Sequence, residues 1–225
     1  MYQTFKVKAK ARPRREPIVV SIVCAAAVLT CAAPADAGEI ILATESNSTS
    51  VATYGGVSAW SSYVEGRGYV LRLYRNGRIG TPPVRPRDAP FDVDLGPDAA
   101  GRVTAVYSRC DPHRGGQLVP ANCRLYRYIP GGQEHRIRGV SRAGYSEHHP
   151  TIWRARLAFA RYRTRRQTTR IDRVYAFDGS SVGALPRGTV RRGSDPPEAA
   201  AGVEGMDLRG VRLAFGWTFL AARCP

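Results

Sequence analysis

Lysine is missing from almost the whole of this chain. The only lysines are Lys6, Lys8 and Lys10, so arginine supplies all of the permanent positive charge after residue 10. The formal net charge of the chain is +16. Arginine makes bidentate contacts with carboxylates and phosphates that lysine cannot make. Two interpretations of this bias stay open: arginine simply replaces lysine on a solvated surface, or it forms an anion-binding face.

Sustained helical periodicity is also missing from residues 38–225. The 23 glycines and 16 prolines of the chain would interrupt most long helices. Apolar and polar residues instead alternate with a period of two, which is typical of strands. The sequence therefore predicts an all-β protein.

The motifs of several enzyme classes are absent as well. The chain has neither a phosphate-binding loop nor a dinucleotide fingerprint. Residues 179–183 superficially resemble a nucleophile elbow, but they lie in a predicted hairpin turn and lack the strand–turn–helix context. The sequence predicts no cofactor and assembles no catalytic set.

A short phrase that ends in an aromatic residue recurs about every 50 residues, a period typical of propeller blades. Its copies lie at 57–60, 104–107, 156–159 and 212–215. A second phrase, Arg-Leu-Tyr or Arg-Val-Tyr, recurs in phase at 72–74, 124–126 and 173–175. Turn residues such as Asn76-Gly77 follow it, as expected for hairpins. We predict a β-propeller-like array of about three complete four-stranded antiparallel blades plus a partial fourth, with the recurring aromatics in the core.

One repeat boundary carries a family resemblance. A Pro-Asp-x-x-Gly-Arg turn at 97–102 precedes the alternating residues 103–107. It resembles the Pro-Asp-Gly turn of TolB-like, WD40-like β-propellers, although the later copies at 153–156 and 208–212 keep only a polar turn. The resemblance covers residues 50–217 and implies a fold, not a reaction.

The N-terminus has the pattern of a secretory signal. Residues 1–16 are basic, residues 17–34 are uncharged and mostly apolar, and Ala35-Asp36-Ala37 offers a signal peptidase small residues. We predict a signal peptide at 1–37, a repeat domain at 38–225, and a secreted or extracytoplasmic location. Retention of the leader as a membrane anchor is an alternative, but the apolar run falls short of the ~20 residues that span a bilayer.

Three cysteines remain after the predicted cleavage. Cys110 ends one predicted strand and Cys123 begins the next, and neighbouring antiparallel strands bring such ends within disulfide reach. An exported protein meets an oxidising compartment, so we predict a Cys110–Cys123 bond that closes the loop between them. Cys224 is then left without a cysteine partner in the predicted mature chain. Two interpretations of it stay open: it forms a disulfide between two chains, or it has no role.

Two clusters carry candidate ligand groups. One contains Arg142, Glu147, His148 and His149, and we interpret Glu147-His148-His149 as a polar inter-blade loop; the other interpretation places Glu147 or His148 in the central channel. No metal site is predicted, because zinc needs three or four convergent ligands.

Asp92 and Asp94 share one strand face, where they could coordinate a cation or hydrogen-bond a neighbouring blade.

The second cluster is a run of arginines that we expect in a hairpin loop. Its members, the candidate anion-binding residues, are Arg161, Arg163, Arg165, Arg166 and Arg170. A charge run of this kind is more often only solvated. If it binds an anion, secretion favours wall polymers or lipid head groups over nucleic acid.

The repeats end before a fourth blade is complete. Truncation of a longer gene product, closure by oligomerisation and a distorted small propeller all explain this, and we favour truncation. Our first functional hypothesis is a secreted, non-catalytic propeller scaffold that binds a protein or a cell-envelope ligand. The alternatives are a hydrolase or lyase with a site in the channel loops, and an arginine-rich anion-binding protein.

Overall fold

The computed structural model describes residues 5–6, 42–45, 49–111, 121–163, 173–184 and 201–219, and all regular structure in these ranges is β. The first strand is β1 (Phe5–Lys6). The part of the chain that the structure describes contains no candidate membrane-spanning helix.

Three four-stranded antiparallel sheets follow one another along the chain, and each is called a blade. Blade 1 consists of β2 (Val51–Tyr54), β3 (Val57–Val64), β4 (Gly68–Arg75) and β5 (Arg78–Gly80). Blade 2 consists of β6 (Asp94–Pro97), β7 (Val103–Arg109), β8 (Arg124–Tyr128) and β9 (Glu134–Arg136). Blade 3 consists of β10 (Tyr145–Trp153), β11 (Arg156–Arg163), β12 (Arg173–Phe177) and β13 (Val182–Ala184).

Blade 4 begins with the hairpin of β14 (Ala201–Arg209) and β15 (Arg212–Phe219). The short strand β1 pairs with β15 through Phe5↔Leu213 and Lys6↔Arg212. The predicted fold class, three complete four-stranded blades and a partial fourth, is therefore confirmed.

Tight turns join the strands where the sequence predicts them. Arg75 pairs with Arg78 across the two-residue turn Asn76-Gly77, whose φ angles are 52° and 73°. Two consecutive positive φ angles define the hairpin turn that Asn-Gly favours, because glycine has no Cβ and asparagine, which is not β-branched, tolerates the left-handed region.

The Pro97–Asp98 turn is held by one carboxylate. Asp98 Oδ1 accepts hydrogen bonds from the backbone N–H groups of Ala100 and Arg102, each at 2.9 Å, and Oδ2 accepts one from Arg102 Nε at 2.9 Å. Burial raises the pKa of Asp98, but these hydrogen bonds outweigh it and hold the pKa below its ordinary value. An aspartate at this place therefore closes the turn that leads into β7.

The apolar core lies in three clusters, one between each pair of consecutive blades. The recurring aromatic residues predicted for the core are buried or packed against it: Tyr107 and Phe159 belong to the first two clusters, Phe215 packs against the third, and Trp60 is buried outside the three clusters. Both faces of blades 2 and 3 are thereby covered with apolar side chains, and removing this surface from water stabilises the stack.

The predicted disulfide is present. Cys110 and Cys123 are joined with an S–S distance of 2.01 Å, next to the end of β7 and the start of β8. The loop residues 112–120 lie outside the described residues.

Gly96 lets two blades approach each other closely. A Cβ atom built on Gly96 of β6 would lie 2.0 Å from the backbone oxygen of Ile152 in β10. Such a contact is far inside van der Waals distance, so a side chain here must push the first strands of blades 2 and 3 apart.

We expect Gly96→Ala to lower the free energy of unfolding by about 1–3 kcal/mol, the usual cost of overpacking a well-packed site. Urea unfolding measures it. Gly80→Ala is the matched control, since a Cβ at Gly80 meets nothing within 4 Å. Equal stability of the two variants would contradict the close approach.

Candidate functional site

The first strand of every blade faces one central cavity. β2, β6, β10 and β14 line it together with residues next to them, and its volume is about 430 Å³. Its wall includes Thr53, Tyr54, Asp94, His149, Trp153 and Asp207. The cavity is thus built from residues that are distant in sequence and occupy equivalent places in successive repeats.

A bulge in β10 brings His149 to the wall of the central cavity. The register of β10 against β11 shifts between His148 and Thr151, and His149 has a φ of 46°. His148 is buried instead, and its ring lies 5.2 Å from that of Tyr162. The two imidazole rings still contact each other, with centroids 4.9 Å apart, but only His149 lines the cavity, because the bulge interrupts the regular alternation of side chains along β10.

Asp92 joins blade 2 to blade 3. Its Oδ1 accepts a hydrogen bond from the Ser108 N–H at 2.7 Å, and its Oδ2 accepts one from the His149 N–H at 2.7 Å. Burial by itself raises the pKa of Asp92, but the Arg87 guanidinium, 3.7 Å away, and the hydrogen bonds from Ser108 hold the pKa below its ordinary value. Asp92 is therefore an ionised connection between the blades.

Asp94 makes the second connection but has no ion-pair partner among the described residues. Its Oδ2 accepts a hydrogen bond from the Ile152 N–H at 3.3 Å. Burial raises the pKa of Asp94 to about 6, and the hydrogen bonds from Thr151, Ile152 and Leu95 do not outweigh that effect. The neighbouring carboxylate of Asp207 raises it further. The sequence left open whether Asp92 and Asp94 bind a cation or a neighbouring blade; both carboxylates bind blade 3.

Blade 4 closes the wall with charged side chains. Glu204, Asp207 and Arg209 of β14 line the cavity, and Arg209 Nε lies 3.7 Å from Asp207 Oδ2. Both partners of this pair are well exposed, so it contributes little to stability. Thr151 of blade 3 helps to position blade 4, because its hydroxyl oxygen accepts a hydrogen bond from the Leu208 N–H at 2.9 Å.

Two aromatic rings meet across the central cavity. Tyr54 of β2 and Trp153 of β10 have ring centroids 5.9 Å apart at an angle of 80°. This edge-to-face geometry is the one that ring quadrupoles favour. Blades 1 and 3 therefore contact each other directly through these side chains.

Glu147 does not line the central cavity, which corrects both interpretations made from the sequence. It lies in β10 with 0% of its surface exposed, between Arg161 Nε at 3.2 Å and Arg124 Nη1 at 3.3 Å. The backbone N–H of Arg142 also donates to Glu147 Oε1, at 3.1 Å. Burial raises the pKa of Glu147 in spite of the hydrogen bond and the two guanidinium groups. Glu147 is the centre of a structural ion-pair network that joins Arg161 of blade 3 to Arg124 of blade 2.

The arginine run is divided by the structure. Arg161 lies in β11, 6% exposed, opposite Glu147, so it is not part of a hairpin loop as predicted. Its guanidinium carbon also lies 4.4 Å from the centroid of the Tyr175 ring. Arg163 ends the same strand and donates to the Tyr145 hydroxyl at 3.2 Å. Arg165, Arg166 and Arg170 lie outside the described residues.

Arg142 stays near the surface of blade 3. Its guanidinium carbon lies 5.0 Å from the centroid of the Tyr145 ring. Of the four candidate channel residues, Arg142, Glu147 and His148 therefore belong to blade 3 packing, and only His149 lines the central cavity.

Sequence reasoning missed most of the cavity wall. Tyr54, Trp153, Glu204 and Asp207 were not selected, because nothing in their local pattern marks them as facing a ligand. The signal that would have found them is their position in the first strand of each repeat, which is innermost in a propeller. No group of three or more His, Cys, Asp or Glu in the described ranges is placed to hold a metal ion.

Comparison with known proteins returned no relative. No family model matches the chain, and neither a curated protein nor a solved structure matches it.

We expect Glu147→Gln to lower the free energy of unfolding by about 3 kcal/mol, because it leaves the buried Arg161 charge uncompensated. Urea unfolding of the variant measures the loss. The double variant Glu147→Gln with Arg161→Met removes that charge as well and should recover part of the stability. A single variant as stable as the wild type would show that the network is not needed.

The raised pKa of Asp94 predicts a pH dependence. The unfolded chain has an ordinary aspartate pKa, so the contribution of Asp94 is most favourable below about pH 4 and is lost as the pH rises through about 6. Asp94→Asn should therefore flatten the stability profile between these values. The check is the difference between wild-type and variant free energies of unfolding from pH 4 to 7; parallel profiles would contradict the prediction.

Proposed function

We propose that this protein is an extracytoplasmic β-propeller-like binding protein that takes its ligand in the central cavity. The observation that carries the proposal is the convergence of the first strands of all four blades on one cavity of about 430 Å³. Protein sites that bind small molecules are concave, have volumes of roughly 300–1,000 Å³, and combine apolar walls with a few convergent polar groups.

The wall of the central cavity fits this description. Tyr54 and Trp153 supply aromatic surface, and Asp94 and Asp207 supply polar groups. A titratable group with a shifted pKa in a concave site is a further mark of function, and Asp94 is such a group.

Binding is better supported than turnover. The residues that an enzyme would use in the channel loops, Glu147 and His148, are buried and do not line the central cavity. Anion binding by the arginine run is not favoured either, since Arg161 already pairs with Glu147.

The location outside the cytoplasm rests on two features. The Cys110–Cys123 disulfide is typical of an oxidising compartment. The basic and apolar residues at 1–34, followed by Ala35-Asp36-Ala37, are typical of a secretory signal. A protein or a cell-envelope component is therefore the ligand source that we propose.

We also propose a relationship with TolB-like propellers. The Asp98 turn before β7 supports it, since a buried carboxylate closes a Pro-Asp turn at the start of a blade strand.

A cavity-filling variant tests the proposed function. Thr53 is an exposed residue of the cavity wall, so Thr53→Tyr should fill part of the cavity without disturbing the core. Ile79→Tyr is the matched control, because Ile79 is 49% exposed on the outermost strand of the same blade.

The measurement is capture of envelope components by immobilised protein, with quantitative mass spectrometry of what each variant retains. We expect Thr53→Tyr to lose the component that wild type and Ile79→Tyr retain. Identical retention by all three would contradict binding in the central cavity.

A further inference from the structure

We infer that the central cavity binds an organic cation, an ammonium or guanidinium group seated between the Tyr54 and Trp153 rings and the Asp94 carboxylate. This inference rests on the proposed function, because it names the chemical class of the ligand that the cavity takes.

The first argument concerns the aromatic rings. Arginine stacks on rings throughout the described residues: guanidinium carbons lie within 6 Å of the centroids of Phe91, Tyr126, Tyr145, Phe159 and Tyr175. No described arginine is placed in this way over Tyr54 or Trp153. Both rings line the cavity, where the negative face of an aromatic ring attracts a cation from outside.

The second argument concerns Asp94. On the cavity wall, Asp92 and Asp207 each have an arginine within 4 Å, whereas none of the ion pairs among the described residues includes Asp94. Asp94 is held in place by the Ile152 N–H and lines the same cavity as both rings. Its burial raises its pKa to about 6, and a bound cation would offset that desolvation.

The third argument concerns the sign of the charge around the cavity. The chain as a whole carries +16, yet the charged residues lining the cavity are Asp92, Asp94, Glu204 and Asp207 against Arg209, with His149 beside Asp92. Asp92 is neutralised by Arg87 and Asp207 pairs with Arg209, at 3.7 Å each. A site of opposite sign to its surroundings favours a cation and disfavours an anion of the same size.

Choline and its uncharged isostere 3,3-dimethylbutan-1-ol are the probes. They have the same shape and differ in charge, so their comparison isolates the cation from the apolar contact. Binding is followed through the indole N–H signals in ¹H–¹⁵N spectra; the chain has three tryptophans, and Trp153→Phe assigns the Trp153 signal.

We expect choline to shift the Trp153 indole signal and the isostere to shift it at least tenfold more weakly at equal concentration. Asp94→Asn, which keeps the size and the oxygen acceptor, should weaken choline binding about tenfold, which corresponds to about 1.4 kcal/mol. Asp88→Asn removes the same charge from an exposed position away from the cavity and should leave binding unchanged.

Equal shifts from choline and the isostere would overturn the cation inference and leave the cavity as a binding site for neutral ligands. Absence of any shift at Trp153 would overturn it too, while the Thr53→Tyr capture experiment decides separately whether the cavity binds at all. The comparison of the two probes on the wild-type protein needs no variant, so a folding defect in Asp94→Asn does not weaken the test.

Discussion

The hydrogen bonds between the first strands of consecutive blades are the constraint on which the rest of the structure depends. Asp92 accepts a hydrogen bond from the backbone N–H of His149, and Asp94 accepts one from that of Ile152. The Thr151 hydroxyl in turn accepts a hydrogen bond from the backbone N–H of Leu208. Gly96 permits the close approach that these contacts require. Buried main-chain donors must find acceptors, so these side chains set how blade 2 meets blade 3 and how blade 3 meets blade 4.

Two consequences follow from this arrangement of first strands. The apolar faces of neighbouring blades are brought together in three clusters, which supply the burial that holds the sheets in a stack. The edges of the first strands also converge, and they leave between them the central cavity with its own polar lining. The connection that stabilises the stack therefore also places Asp94 at the candidate site.

Arginine serves different purposes in different parts of the molecule. Arg161 is buried against Glu147 and stacks over Tyr175, and Arg87 pairs with Asp92 at the cavity wall. A planar, weakly hydrated guanidinium tolerates such sites better than an ammonium group, because it forms several directed hydrogen bonds and stacks on rings. The absence of lysine beyond residue 10 is thus partly a property of the core, and a run of arginines in the sequence is not by itself a surface patch.

The sequence alone determined the fold class, the number and order of the blades, the turns and the Cys110–Cys123 pair. These features depend on local pattern: period-two alternation, Asn-Gly turns, and phrases copied at one spacing. The tertiary structure decided which polar residues face the cavity. Glu147 and His149 lie two positions apart in one strand, yet one is sealed in an ion-pair network and the other lines the cavity. The physical reason is the bulge after His148, which changes the orientation of the strand through contacts with β6 and β11 that no local pattern contains.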